Sequence, residues 1–591
     1  MSRASRILLQ GPAWMPWAIA GGAVVVGLIL SFALPDQKTI NIFTSILIAS
    51  VSLMGLGVVT GSAGMIALCQ LTFAAVGAWV VEWLYVNGVF EFLGPVRFVA
   101  LVIVGGLVAA VAGFIVGLPA LRLRGVNLAV LTLGVAAAVD LTLNKLGFPA
   151  FVAGVRIDRP FDLGISSVAS DRGYVIFVVV AVALVAVMII FLQRSNWGAS
   201  WKAVAFSERG TASAGTNVRT AKLSAFAVSA FVGGIAGGLL DGQIIQANAQ
   251  TFTTINSLGI YVLSVVAGSY LIDMALFGGL LFVLIPELLK IFKIDQQWGN
   301  VIFGILGIQA ITSGTNLGQG IRNSIYAKRR AKEPLVASHL ADLKESGKTA
   351  IPKGNGKTVL SVKNLNVEFG AVKALNDVTL SVEQGTIVGL IGPNGAGKST
   401  FVDALTGFLP QHTGEVFLLD EKLDNESPSK IARQGLRRTY QQDRVPDTLT
   451  VGAYLRFVSR GKSTNAEIAD TLEFFGCPPP MTPLRMVDVG TRRLIEVAAN
   501  VAAKPLVLML DEPAAGLSHD EHLLFADRLR QVPSRFGVTI LIIEHDLDLV
   551  RSVCTSITVL NFGEVLASGS QEKVLKDPAV LKAYMGETEM L

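Results

Sequence analysis

Ten runs of mostly apolar residues fill the first 320 positions, and a different rhythm takes over after residue 357. The runs lie at roughly 17–34, 40–59, 66–84, 98–118, 126–143, 174–193, 222–240, 257–273, 274–290 and 298–313. A helix needs about 20 predominantly apolar residues to cross a bilayer, and fewer where it is broken or shielded by neighbours. The pattern therefore predicts a polytopic α-helical membrane domain of about ten spans over residues 1–320. Gly233, Gly234, Gly237 and Gly238 form overlapping small-x-x-x-small pairs within one run, a spacing that lets helix backbones pack closely. Gly61 and Gly64 suggest a broken helix within the membrane domain. Residues 321–357 are polar and read as a linker. From Thr358 the apolar positions change period: 359–369 and 378–382 alternate as in strands, whereas 387–391, 506–510 and 538–543 are continuous short apolar runs. Interleaved with helical stretches, they predict an α/β domain over 358–591.

Composition sharpens this division. The chain is 52% hydrophobic and 16% charged, against roughly a quarter charged in soluble proteins. The net charge of +5 does not point to nucleic acid, because many Lys and Arg flank the apolar runs. With the N-terminus inside, Arg122, Arg124, Arg194, Lys202, Arg209 and Arg219 fall in internal loops, and the loop 241–256 carries no Lys or Arg. The positive-inside rule thus puts both termini in the cytoplasm of a cytoplasmic (inner) membrane, with Lys290 and Lys293 running against it. The basic run Lys328–Lys332 could bind anionic membrane lipid, but it reads first as an ordinary cytoplasmic flank that becomes the linker. The first apolar run is longer than a signal-peptide core and lacks a small-x-small cleavage site, so it reads as a retained span. Cys69, Cys477 and Cys554 have neither metal-ligand nor disulfide spacing. Glu82 and Asp140 lie near the ends of predicted spans and Asp273 at a boundary. Spans so nearly uncharged argue against a proton relay and suit contact with a zwitterion or small amphipathic molecule.

The chemistry lies in the second half. Residues 392–399, Gly-Pro-Asn-Gly-Ala-Gly-Lys-Ser, fit the phosphate-loop pattern G-x-x-x-x-G-K-[ST] between an apolar strand and a helix start. In that context Gly392, Asn394, Gly395 and Gly397 form a loop whose N–H groups face a triphosphate. Lys398 can reach the β- and γ-phosphates, and Ser399 and Thr400 open the helix, with the Ser399 hydroxyl available to Mg²⁺. A second apolar strand ends in Asp511-Glu512, the Walker B arrangement, in which Asp511 holds Mg²⁺ through water and Glu512 polarises the attacking water. A third ends in Glu544-His545-Asp546, where His545 can hydrogen-bond the γ-phosphate. The ordered set predicts ATP and Mg²⁺ as ligands.

These motifs over 358–587 resemble the ATPase domain of ABC transporters. The resemblance implies that Phe369 stacks on adenine, that Gln441 in Arg438-Thr-Tyr-Gln441 is the Q-loop residue linking Mg²⁺, water and the membrane domain, and that Ala515–Ser518 is the D-loop. The stretches Gly61–Trp79 and Gly117–Leu133 resemble the permease of branched-chain amino-acid importers, with Asn127 where Tyr is usual and Ala67 where Ser is usual. Ser207-Glu208 through Gly215 resembles its cytoplasmic coupling segment, which would dock near Gln441. One departure stands out. The family's signature, Leu-Ser-Gly-Gly-Gln or close to it, falls at Val487–Thr491, where Gly490 is kept and Asp488 replaces the Ser. Two like charges about 4 Å apart repel by about 4 kcal/mol at intermediate dielectric, so Asp488 is expected to impair the ATP site it completes on a partner.

The resemblance implies a permease–ATPase fusion forming half of an ATP-driven importer of a branched-chain amino acid or a related amide, urea or carboxylate. It also implies a second permease and ATPase with an intact signature, and an extracytoplasmic solute-binding protein. A non-transporting membrane ATPase and an ABC exporter are the alternatives.

Overall fold

The computed structural model describes residues 14–160, 167–244, 248–313, 320, 336–338, 340, 350–442 and 444–585. The basic run 328–332 lies outside these residues. The chain divides into two compact units. One holds Pro12–Ala205 and Arg219–Glu333, the other Phe206–Val218 and Pro334–Leu591.

The first unit is helical, and each predicted apolar run has a helix on it: α1 (Met15–Ala33), α2 (Gln37–Gly57), α3 (Gln70–Val86), α4 (Arg97–Ala120), α5 (Val126–Leu146), α6 (Ser167–Arg194), then, beyond α7 (Asn196–Phe206) and the other unit's α8 (Glu208–Ser213), α9 (Val218–Gln243), α10 (Thr254–Ala267), α11 (Ile272–Ile291) and α12 (Trp298–Ser313). Seven helices among the described residues are long and apolar enough to cross a membrane; Gln70–Val86 and Trp298–Ala310 are shorter apolar helices.

Between α2 and α3 the chain makes a π-turn at Val58–Ser62 and stays non-helical to residue 69. The break suggested by Gly61 and Gly64 is present. A Cβ on Gly61 would lie 2.4 Å from the Tyr270 Cβ, and Gly64 has φ +66°. Unwound backbone at this depth must find partners inside the protein. Thr132 Oγ1 accepts from Leu68 N at 3.1 Å, and Ser257 Oγ donates to Leu68 O at 2.8 Å. At the start of α3, buried Gln70 donates to Ser52 O and Ser229 O and accepts from Ser229 Oγ at 2.9 Å.

The glycine spacing in α9 serves close packing. A Cβ on Gly237 would lie 1.8 Å from Ala74 O on α3. The nearly uncharged reading of the spans needs one correction. Helix α9 continues to Gln243, so Asp241 belongs to the helix and is buried, its carboxyl beside that of Glu82 on α3. Glu82 Oε2 also accepts from Ala150 N at 2.7 Å. An acidic side chain survives in a span when such partners are supplied.

The second unit is α/β. Strands β1 (Thr358–Phe369), β2 (Val372–Glu383), β4 (Thr413–Leu418) and β5 (Glu421–Lys422) form an antiparallel sheet in the order β2-β1-β4-β5. Strands β3 (Ile387–Ile391), β6 (Leu436–Arg438), β7 (Val507–Asp511), β8 (Thr539–Ile543), β9 (Ser556–Asn561) and β10 (Glu564–Ser570) form a second sheet in the order β10-β9-β3-β8-β7-β6. All its pairings are parallel except β9–β10. The continuous apolar runs are buried on both faces, as parallel strands require: every residue of β3 and β8 is buried. Because β3, β7 and β8 run parallel, the phosphate loop, Asp511-Glu512 and Glu544-His545 emerge at one carboxyl edge, where open α/β sheets bind ligands. Three helices matter to the site: α13 (Lys398–Leu405), α14 (Val489–Ala502) and α15 (His519–Phe536).

Candidate functional site

The loop after β3 turns into α13 through Gly397, which has φ +99° and whose added Cβ would lie 2.7 Å from Ala374 O on β2. Only glycine fits both constraints. That contact brings the β1–β2 hairpin against the loop, with Phe369 at its turn and half its surface exposed. Ser399 and Thr400 lie in the first turn of α13, whose N–H groups have no helical partner of their own. Lys398 folds back on the loop, Nζ donating to Gly392 O at 2.6 Å and Pro393 O at 3.0 Å. Burial lowers its pKa, against the pull of Glu512 and Asp511. An ammonium held by two carbonyls beside two carboxylates is poised for a polyanion.

Glu512 follows β7 in the left-handed region, φ 45°, a conformation that costs a non-glycine residue about 1–2 kcal/mol. Its N–H donates to Ile543 O on β8 at 2.9 Å. Its carboxylate accepts from Gln441 Nε2 at 2.9 Å, and His545 Nδ1 lies 3.4 Å from the other oxygen. The three side chains that the sequence assigns to the γ-phosphate side thus converge. Asp511 is 3.5 Å from Arg438, which also pairs with Asp403 of α13. Burial raises the Asp511 pKa despite that guanidinium. Glu544 is pushed up to about 7 by burial, against hydrogen bonds from its own backbone neighbours. Ser399, Gln441 and Asp511 form a sparse donor set of one carboxylate, one hydroxyl and one amide. That fits Mg²⁺, which keeps several waters and takes the rest of its shell from phosphate oxygens.

Asp488 sits at the N-cap of α14, its carboxylate accepting from Thr491 N at 2.9 Å and from Thr491 Oγ1 at 2.6 Å. Gly490 faces the stretch Ala515–Ser518: a Cβ there would be 3.0 Å from Gly516 O.

Helix α8 packs within this same unit. Ser207 caps it, accepting from Gly210 N at 3.1 Å, and Glu208 opens its first turn. Ser213 Oγ and Tyr440 OH are 2.6 Å apart, and Tyr440 immediately precedes Gln441. Arg438 and Arg444 both lie over the Tyr440 ring, 4.5 and 5.5 Å from its centroid. Arg460 donates to Gly215 O at 2.9 Å, and Arg209 lies 3.5 Å from Asp403. Sequence reasoning singled out Ser207, Glu208, Gly215 and Gln441 but missed Tyr440, Asp403 and Arg438 as partners. The one signal for Tyr440 is an aromatic residue placed between Arg438 and Arg444 in the sequence, beside Gln441.

Comparison with known proteins covers both halves. Residues 38–311 match the family described as branched-chain amino acid transport system / permease component, and residues 375–515 match the family described as ABC transporter. The chain is 36% identical over 256 residues to the high-affinity branched-chain amino acid transport ATP-binding protein BraF of Pseudomonas aeruginosa, covering 39% of this chain and 99% of that protein. It is 35% identical over 250 residues to the ATP-binding protein LivG of Escherichia coli K12, covering 39% of this chain and 98% of that protein. A probable LivG from Methanocaldococcus jannaschii is 30% identical over 258 residues, covering 39% of this chain and 98% of that protein.

Proposed function

We infer that this chain, which belongs to the branched-chain amino-acid type of ABC transporters, couples ATP hydrolysis in residues 358–591 to import of a branched-chain amino acid or a related small solute through residues 1–320. The observation that carries this reading is the joining, in one chain, of the permease match over 38–311 to the ATPase match over 375–515. The placement of α8 against Tyr440 supports a mechanical link between them.

In this reading the loop Gly392–Thr400 binds the phosphates and Phe369 lies against the base. Lys398 exchanges its loop carbonyls for phosphate oxygens. Ser399, Asp511 and Gln441 would hold Mg²⁺, which when bound offsets charge on the phosphates. Glu512 orients and polarises water with Gln441 on one oxygen, and His545 contacts the γ-phosphate. The change on closing passes through Gln441 and Tyr440 to the segment Ser207–Gly215. Residues 321–357 link the two domains.

The chain supplies half of a transporter, so a second permease and ATPase complete it. An ATPase with an intact signature suits a site made from this chain's phosphate loop, because Asp488 marks the weaker signature. An extracytoplasmic binding protein delivers the solute, in a bacterial inner membrane with both termini cytoplasmic.

The test is uptake of radiolabelled leucine by vesicles carrying the complete transporter. Uptake should need ATP inside and a soluble binding protein outside. ATP-driven efflux without a binding protein would refute import, and ATPase activity that responds to an external ligand with no solute movement would refute transport.

A further inference from the structure

The signature helix α14 is tied to the hydrolytic groups of its own chain by one side chain. Arg493 lies two residues past Thr491, half-buried, on the first turn and a half of α14. Its Nη1 donates to the carbonyl of Glu512 at 3.0 Å, and its Nη2 donates to the carbonyl of Gln441. These are the two residues whose side chains bond to each other, Gln441 Nε2 to Glu512 Oε2. The fork closes a loop: one guanidinium holds both backbones, and the side chains meet on the far side.

The need for such a tie is visible at Glu512. Its φ of 45° is a conformation that a side-chain-bearing residue keeps only where its surroundings over-determine it. The N–H is fixed by Ile543 O on β8. The carbonyl is fixed by Arg493 from the other side. A planar guanidinium can donate two hydrogen bonds in fixed directions, which an ammonium cannot do. Since Arg493 rides on the same helix as the Asp488 cap and Gly490, displacement of the signature segment reaches Glu512 and Gln441 through a rigid fork.

We propose that Arg493 is a positioning residue for ATP hydrolysis, holding Glu512 and Gln441 in register with each other and with the signature helix. The proposal rests on the reading of Glu512 as the group that polarises water, so Glu512→Gln is run beside it.

The experiment uses the full-length chain with the subunits that copurify with it, and compares Arg493→Met, Arg493→Lys and Glu512→Gln. Three quantities are measured: kcat for ATP, affinity for a fluorescent ATP analogue, and thermal melting. Misplacing a reacting group by about 1 Å costs on the order of 100-fold in rate. Arg493→Met should therefore lower kcat by roughly 10- to 100-fold while analogue affinity stays within about threefold. Arg493→Lys, which keeps the charge and at most one of the two bonds, should fall between. If Arg493→Met does not fold, Arg493→Lys alone decides: wild-type kcat overturns the proposal, and a lowered kcat at unchanged affinity upholds it. A kcat for Arg493→Met within twofold of wild type, beside an inactive Glu512→Gln, overturns it. So does a parallel loss of analogue affinity, which would make Arg493 a fold residue. Normal hydrolysis by Glu512→Gln would instead overturn the reading of Glu512.

Discussion

Tyr440→Phe isolates the hydroxyl that joins the segment before Gln441 to α8. The ring stays between Arg438 and Arg444, 4.5 and 5.5 Å from the two guanidinium carbons, so packing and cation–π contact survive. What is lost is the 2.6 Å bond to Ser213 Oγ. Ser213 is 6% exposed and Tyr440 8% exposed, so water does not simply replace the missing partner. Leaving one buried hydroxyl unsatisfied costs about 1–3 kcal/mol, which is roughly a 5- to 150-fold shift in the equilibrium between docked and open α8. Hydrogen exchange of the purified full-length chain reads that equilibrium directly. The amides of Ala214 and Gly215, which donate to Gly210 O and Ala212 O, should exchange faster by that factor, while amides in β7 and β8 stay unchanged. Ser213→Ala should do the same. The double variant should cost less than the sum, by about 1 kcal/mol, because the second change removes the orphan left by the first. Unchanged exchange at Ala214 and Gly215 in both single variants, or strict additivity, would refute this account of the docking.

Three further outcomes follow from the site. Glu512→Gln should still bind ATP but lower turnover by at least about 100-fold and retain labelled nucleotide through gel filtration; wild-type turnover would remove Glu512 from the chemistry. Asp488→Ser keeps an N-cap residue, so stability should change by less than about 1 kcal/mol, while ATPase activity of the isolated homomeric chain rises; no rise would mean that Asp488 does not limit that site. The Glu544 carboxyl has a pKa raised from 4.5 to about 7, so the folded state binds the extra proton and this contribution is fully present below about pH 4.5 and lost as pH rises through about 7. Relative to Glu544→Gln, the wild-type chain should lose up to about 3 kcal/mol over that range, seen as a falling melting temperature between pH 5 and pH 8; parallel melting curves in the two proteins would contradict it.

How far the sequence reaches depends on whether an interaction is local. The phosphate loop, Asp511-Glu512 and Glu544-His545 are legible because each is a short motif at the end of a continuous apolar run, and parallel pairing of β3, β7 and β8 then brings their ends together. Membrane helices are legible because a span requires a long apolar run. Arg493 is not legible in this way, since its donors reach carbonyls 19 and 52 positions away. Nor is the Ser213–Tyr440 bond, which closes 227 positions. In the membrane unit, charge misplaces the end of α9: Asp241 reads as the start of a loop until Glu82 is seen against it. The break before α3 shows the same limit. Glycines announce it, but its extent depends on Thr132 and Ser257, which satisfy the unwound backbone from other helices.

The geometry at Asp488 also changes the physical basis of the asymmetry proposed between ATP sites. From sequence, the argument is repulsion between a carboxylate and a phosphate. In the structure both carboxylate oxygens accept from Thr491, and the negative charge sits at the N-terminus of α14, where the helix dipole favours it. The replacement is therefore locally stabilising, and α14 forms without the family's serine. What disappears is a donor: a serine hydroxyl can cap a helix and still offer its proton, whereas an ionised carboxylate only accepts. In the proposed pairing, a partner's γ-phosphate, itself rich in acceptors, would meet at this position a group with nothing to donate. Loss of that donor and residual repulsion would act in the same direction, so the proposed weakening of that site does not require the carboxylate to leave its cap.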